Sequence, residues 1–270
     1  MNSRDIAVAM MRLGADSLRA QMLVDPAVAR RHGFAVVSRG GLWCYRSRGL
    51  EAGVFNHVSG FGTFGPATQP AIDAVRRYYA VFDETPAFEV LLPAVSRNAR
   101  ALLERNGFRD RDTIFQCHVR TTSRPPRAHR VPGLTIERAR ATDALRYAKL
   151  ATEGFGGDGP IAMVFERGWT ALIRRDRRVA AFIGSVNGRD AATGTTLLRP
   201  HIAGLYSGSV LRRFRGRGIQ NAMIAARVAF GWARGVRTFY SWSEPDTASA
   251  ENLRDEGFRT RFAVHWYSAG

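Results

Sequence analysis

The chain has 270 residues, 45% of them hydrophobic, which is enough to bury a sizeable core and fits two domains better than one. Its 40 Lys+Arg against 23 Asp+Glu give a net charge of +17, and Lys149 is the only lysine. The surplus is spread through both halves with no charged tail, so a nucleic-acid partner would be held only by nonspecific phosphate attraction.

Cys44 and Cys117 stand in no Cys-x-x-Cys or Cys/His spacing, which implies neither a zinc site nor a disulfide framework and fits a reducing compartment. Met1 to Arg12 carries early charges and a short apolar run, Ile6 to Met11. Neither a signal peptide nor a membrane span is expected there, and the protein reads as cytoplasmic.

Apolar positions at helical spacing (Met10, Leu13, Leu18, Met22, Val28) predict two helices over Ile6 to Arg31, broken near Asp25-Pro26. Phe34 to Val37 and Leu42 to Tyr45 alternate as short strands around Gly40-Gly41, and Asn56 to Phe64 reads as a glycine-weakened strand. Gln69 to Phe82 is an amphipathic helix with Pro70 in its first turn. A strand over Phe88 to Leu92, a helix over Val95 to Asn106 ended by Gly107, and a strand over Ile114 to Val119 complete the first half. The polar, proline-rich stretch from Thr121 to Gly133 marks a linker, which divides the chain into domains 1–123 and 134–270 with a linker at 124–133.

The second half opens with a strand over Leu134 to Glu137 and a helix over Thr142 to Phe155, capped by Thr142 or Asp143. A glycine-rich loop to Pro160 precedes a helix over Ile161 to Arg174. Strands follow over Val179 to Val186, Gly194 to Leu198 and Ile202 to Val210. Helix Ile219 to Arg234, strand Arg237 to Ser243, helix Ala248 to Glu256 and strand Phe262 to Tyr267 close the chain. Ala99 to Arg109 parallels Ser249 to Arg259 through a shared Gly-Phe-Arg ending, which reads as an internal duplication.

The stretch Val210-Leu211-Arg212-Arg213-Phe214-Arg215-Gly216-Arg217-Gly218-Ile219-Gln220 joins a strand to a long helix. A glycine-rich turn there leaves several backbone N–H groups unpaired at the positive end of a helix dipole, so a phosphate or pyrophosphate fits. Gly216 and Gly218 let the backbone approach an anion, and Arg213, Arg215 and Arg217 add positive charge. The matching place in the first half holds Gly65-Pro66-Ala67-Thr68, without that turn.

These residues resemble the signature of the GCN5-related N-acetyltransferases, Gln/Arg-x-x-Gly-x-Gly/Ala, here Arg213-x-x-Gly216-x-Gly218. Asn252 to Phe258 resembles that family's last helix and its Gly-Phe exit, and the resemblance covers Leu134 to the C-terminus. It implies an α/β chain with a mixed sheet, in the acyl-CoA N-acyltransferase fold, as two tandem domains of which the first is degenerate. It further implies acetyl-CoA as the cofactor, its pyrophosphate on the turn formed by Arg213, Arg215, Gly216, Arg217, Gly218, Ile219 and Gln220. Ser209, Val210 and Leu211 would then pair with the pantetheine arm and polarise the thioester carbonyl.

The implied reaction is direct attack by a primary amine of a small molecule or protein within a ternary complex. The family's usual tyrosine acid falls on Leu253, and on Leu103 in the first half. The replacements considered are Tyr206, Glu244 and Asn252, with Tyr240, Ser243 and Ser249 as further candidates. Asp246 stands where the family often has a cofactor-contacting asparagine. An acyl-CoA-binding sensor, or a nucleic-acid-associated module, is the alternative, and the acceptor and oligomeric state stay open.

Overall fold

The computed structural model describes residues 1–48, 50 and 53–270. In chain order the elements begin with helices α1 (Ser3–Leu23) and α2 (Pro26–His32) and strands β1 (Ala35–Arg39), β2 (Leu42–Arg46) and β3 (His57–Ser59). Then come α3 (Gln69–Ala80), β4 (Phe88–Leu92), α4 (Arg97–Arg105), β5 (Phe108–Thr121), β6 (Leu134–Arg138), α5 (Ala144–Gly154) and α6 (Gly159–Arg175). Strands β7 (Val179–Val186), β8 (Arg189–Leu198) and β9 (Ile202–Val210) lead to α7 (Ile219–Trp232), β10 (Thr238–Ser243), α8 (Ala248–Asp255) and β11 (Arg259–Ala269). Elements of the two halves keep one register: Gln69 stands as far before Ile219 as Phe88 before Thr238 and Gly107 before Gly257.

Packing divides the chain into two compact units, Met1–Cys117 with Thr260–Gly270, and His118–Arg259. This differs from a division at 124–133, because the last strand belongs to the first unit. There β11 pairs antiparallel with β4, from Ala263 opposite Leu92 to Tyr267 opposite Phe88. The strand order in that unit is β1-β2-β3-β4-β11-β5. Asp110 pairs with His265 at 2.9 Å, and Tyr267 joins the core with Phe88, Tyr79, Val75 and Leu103. The predicted strand over 56–64 ends at Ser59, since Gly60 and Gly62 adopt φ of 99° and 67° and turn the chain.

In the second unit the order is β10-β9-β8-β7-β6, with the end of β5 beside β10. All pairs from β6 to β9 are antiparallel, whereas β9 and β10 run parallel. Every residue of β7 is buried, as expected for a strand covered on both faces. Ala203, Leu205, Ile224, Val228, Phe239, Leu253 and Phe258 form the core between this sheet and helices α7 and α8. Near the start of the unit, Arg120 Nη1 donates to Glu256 O at 2.6 Å and His129 pairs with the Glu256 carboxylate at 2.7 Å.

Candidate functional site

The site begins where β9 leaves its neighbours. Against β8 the register runs Thr193 to Ser209 and then Thr195 to Tyr206, so β9 carries one extra residue in a bulge, and Ser207 there has φ 47°. Against β10 the pairing runs from Ile202 opposite Thr238 to Leu205 opposite Ser241. At that last rung Ser241 Oγ donates to Leu205 O at 3.0 Å. Past it the strands part, and a cleft of about 380 Å³ opens between the end of β9, the turn before α7 and the start of α8.

Alternation along β9 decides which backbone groups face the opening. The Leu211 N–H bonds to Ala191 O on the β8 side, so the preceding Val210 N–H points away from β8. The Val210 carbonyl on that same side accepts from Arg215 Nε at 3.0 Å.

The turn supplies a second set of donors. Gly216 and Gly218 take φ of 75° and 73°, a region that favours glycine, and no side chain caps α7. The first amide to close a helical bond is that of Ala222, on Gly218 O at 3.1 Å. Among the described residues, nothing accepts from the N–H groups of Gly216 to Asn221. Six uncommitted amides at a helix N-terminus form an anion cradle, with the positive end of the dipole behind them. A Cβ on Gly216 would meet no atom within 4 Å, so the space in front of the turn is open.

The sequence-predicted cofactor residues divide. Ser209, Val210, Arg215, Gly216, Gly218, Ile219 and Gln220 line the cleft. Leu211 does not: it is buried, with its N–H committed to Ala191. Arg213 and Arg217 also lie outside the lining. Arg213 pairs with Glu153 at 3.1 Å, Arg217 donates to Arg213 O at 3.4 Å, and both guanidinium groups stack on Phe214 at 5.2 and 5.6 Å. Arg215 reaches across the turn to Gly154 O at 3.2 Å as well as to Val210 O. The arginines brace the turn through the Val210 and Arg213 carbonyls and tie it to α5, and the amides are what remain for a ligand.

Of the three catalytic candidates, Asn252 lines the cleft, with Thr247 and Ser249. Tyr206 lies outside the lining, its hydroxyl hydrogen-bonded to that of Tyr240 and the two rings edge to face at 5.9 Å. Glu244 is exposed outside the lining, and its backbone carbonyl accepts from Thr247 Oγ1 at 3.0 Å. Leu253 is 3% exposed in the core with Phe258, which explains why that position carries no hydroxyl.

Other residues around the site were not singled out in the sequence as functional. Gly154 and Phe155 line the cleft, and Phe155 is 64% exposed at its edge; the only sequence signal was a glycine-rich loop. His118 is fully buried with Nε2 2.8 Å from Ser243 Oγ, and burial, helped by the charge of Arg254, lowers its pKa. Among the described residues no group of three His, Cys, Asp or Glu could hold a metal, and no helix is long and apolar enough to cross a membrane.

The first unit has a comparable cleft of about 440 Å³ between α4 and the loop from Gly62 to Ala67 that leads into α3. Its helix start is already satisfied. Thr68 Oγ1 caps α3 by accepting from the Ala71 N–H at 3.4 Å, and Pro70 contributes no N–H at all.

No family sequence model and no curated protein sequence matches the chain. Solved structures do. A GCN5-related N-acetyltransferase from Kribbella flavida superposes with a TM-score of 0.67 at 15% identity, over 98% of this chain and 95% of that one. The fold is that of the GCN5-related N-acetyltransferases. A tandem GNAT protein from the clavulanic acid biosynthesis pathway matches with a TM-score of 0.60 at 18% identity, over 72% of this chain and 67% of its own. A GCN5-related N-acetyltransferase from Sphaerobacter thermophilus matches with a TM-score of 0.56 at 20% identity, over 73% and 64%. In this GCN5-related fold the cleft occupies the end of the parallel β9–β10 pair, next to the uncapped start of α7.

Proposed function

We propose that the chain is an acetyl-CoA-dependent N-acetyltransferase acting on a primary amine. One observation carries the reading: the uncommitted amides of Gly216 to Asn221 stand at the mouth of the cleft opened by the parting of β9 and β10. A diphosphate suits those amides, and an extended arm suits the unpaired edge of β9. Acetyl-CoA supplies an activated acyl group: the amine forms the new C–N bond, the C–S bond breaks, and the thiolate takes up a proton.

The chain's own residues orient and polarise. Val210 N–H, aimed away from β8, is placed to donate to a carbonyl lodged in the opening. Asn252, Ser249 and Thr247 offer polar contacts along the α8 wall. An unperturbed lysine amine has a pKa of about 10.4, so freeing it of its proton at pH 7 costs about 4.6 kcal/mol; an α-amine, at about 8, costs about 1.4. The Glu244 carboxylate is the group proposed to take that proton, and the Tyr206–Tyr240 hydroxyl pair beside the parting strands the one proposed to return a proton to the thiolate.

Calorimetry with coenzyme A, followed by a thiol-release assay over an amine panel, tests the proposal. Saturable coenzyme A binding with thiol release on at least one amine is expected, and no binding would overturn it. A second reading, an acyl-CoA-binding sensor, is favoured by the core placement of Leu253 and by the position of Tyr206 and Glu244 outside the cleft lining. Coenzyme A binding without turnover on any amine would select it.

A further inference from the structure

A lone cation lies in the core of the second unit. Arg227, on α7, is 2% exposed, and no carboxylate among the described residues lies within 4 Å of it. Its guanidinium donates to main-chain carbonyls, from Nε to Met223 O at 3.0 Å and from Nη1 to Tyr206 O at 3.3 Å. The second of these carbonyls belongs to the residue at which β9 enters its bulge.

Two glycines make room for the guanidinium. A Cβ on Gly194 would stand 2.7 Å from Arg227 Nε, and one on Gly208 would stand 3.1 Å from Nη2. Side chains alternate along β8, so Thr193 and Thr195 face the opposite side from the guanidinium. There Thr193 Oγ1 donates to Ser207 O at 3.1 Å and lies 2.8 Å from Ser209 Oγ, while Thr195 is hydrogen-bonded to the hydroxyl of buried Tyr147. The bulge that carries Gly208, Ser209 and Val210 to the cleft is therefore gripped on one side by hydroxyls and on the other by a cation.

Packing alone does not account for an arginine here. Methionine or leucine would fill comparable volume without desolvating a charge that has no counter-ion. Burial lowers the guanidinium pKa to about 10, which still leaves it charged at neutral pH. What the position adds is uncompensated positive charge directly behind the strand that faces the proposed acyl site.

We infer that Arg227 is a positioning residue for acyl transfer: through Tyr206 O it fixes the β9 bulge that aims the Val210 N–H, and its charge favours the developing oxyanion of the thioester carbonyl. The inference rests on the acyltransferase reading of the cleft and deepens it.

The test compares the full chain with Arg227→Met and Arg227→Lys in three measurements: coenzyme A affinity by calorimetry, the infrared stretch of the isotope-labelled thioester carbonyl of bound acetyl-CoA, and kcat against KM on an accepted amine. Expected for Arg227→Met is coenzyme A affinity within about threefold of the parent, because the phosphate turn is untouched. The carbonyl downshift seen in the parent should be lost, and kcat should fall roughly 30-fold or more with KM for acetyl-CoA little changed. Arg227→Lys should restore part of both.

A parent-like carbonyl shift in Arg227→Met would overturn the inference, and so would loss of shift, affinity and folded structure together in both variants. Should Arg227→Met fail to fold, Gly194→Ala, which displaces Nε while keeping the charge, is expected to shrink the downshift; an unchanged shift there would also overturn it. A parent chain that binds no coenzyme A defeats the acyltransferase reading itself. A parent that binds and shifts the carbonyl while the variants match it defeats only the role of Arg227.

Discussion

Replacing Gly218 with alanine separates backbone strain from ligand binding. Gly218 has φ 73°, and a Cβ there would meet only Val131 Cγ2, at 3.9 Å. The cost is thus conformational and not a clash, roughly 1–2 kcal/mol for holding an L side chain in the left-handed region. The turn can relieve it by rotating away from positive φ, which turns neighbouring amides off the diphosphate. Coenzyme A affinity should then fall by about the same energy, roughly 5- to 30-fold.

Gly188→Ala is the control, because it has φ 75° with nothing within 4 Å, sits in the turn between β7 and β8, and does not line the cleft. Gly188→Ala should lose about 1–2 kcal/mol in urea unfolding and Gly218→Ala less, to the extent that its turn relaxes, yet only Gly218→Ala should lose affinity by calorimetry. Equal affinity for the two would refute the assignment of the turn as the anion cradle.

Gly154→Ala should destabilise the chain in urea by about 1–2 kcal/mol despite the gain in helix propensity, because the new Cβ would overlap Ser209 Oγ and stand 2.7 Å from Ser209 Cβ. Gly154→Ala/Ser209→Gly should recover at least half of that loss, and a stabilised single variant would contradict it. Thr68→Ala removes the cap of α3, so it should cost about 1 kcal/mol in the same assay with coenzyme A affinity unchanged.

Burial lowers the pKa of His118 and of His57, so below about pH 6.5 the unfolded chain binds protons that the folded chain does not. Stability should be level between about pH 7 and 8 and decline as pH falls below that window; above it the thiols of Cys44 and Cys117, raised by burial, add a second decline. His118→Gln should make the acid-side decline shallower, and an unchanged slope would show that His118 titrates normally.

Local chemistry was legible in the residues themselves. The break at Asp25-Pro26, Pro70 in a first turn and Gly107 after Arg105 marked helix ends that the structure shares within a residue or two, because such signals act over a single turn. The uncapped turn before α7 was legible for the same reason: strand, Gly-x-Gly and helix are contiguous, so its free amides need no help from distant residues. The bracing roles of Arg213, Arg215 and Arg217 were not, since their partners Glu153, Gly154 and Val210 come from other elements. Nor was Arg227, whose site exists only because β8 and β9 bring Gly194 and Gly208 against α7.

By itself the sequence determined most of the elements, the repeat and the uncapped Gly-x-Gly turn before α7, all of which rest on spacing within one stretch of chain. Tertiary structure alone decided which strand closes which sheet. β5 and β11 both end their halves with alternating apolar residues after a Gly-Phe turn, so their patterns fit either neighbour. Only three-dimensional pairing placed β11 beside β4 and put Leu253 in the core where a hydroxyl would otherwise be sought.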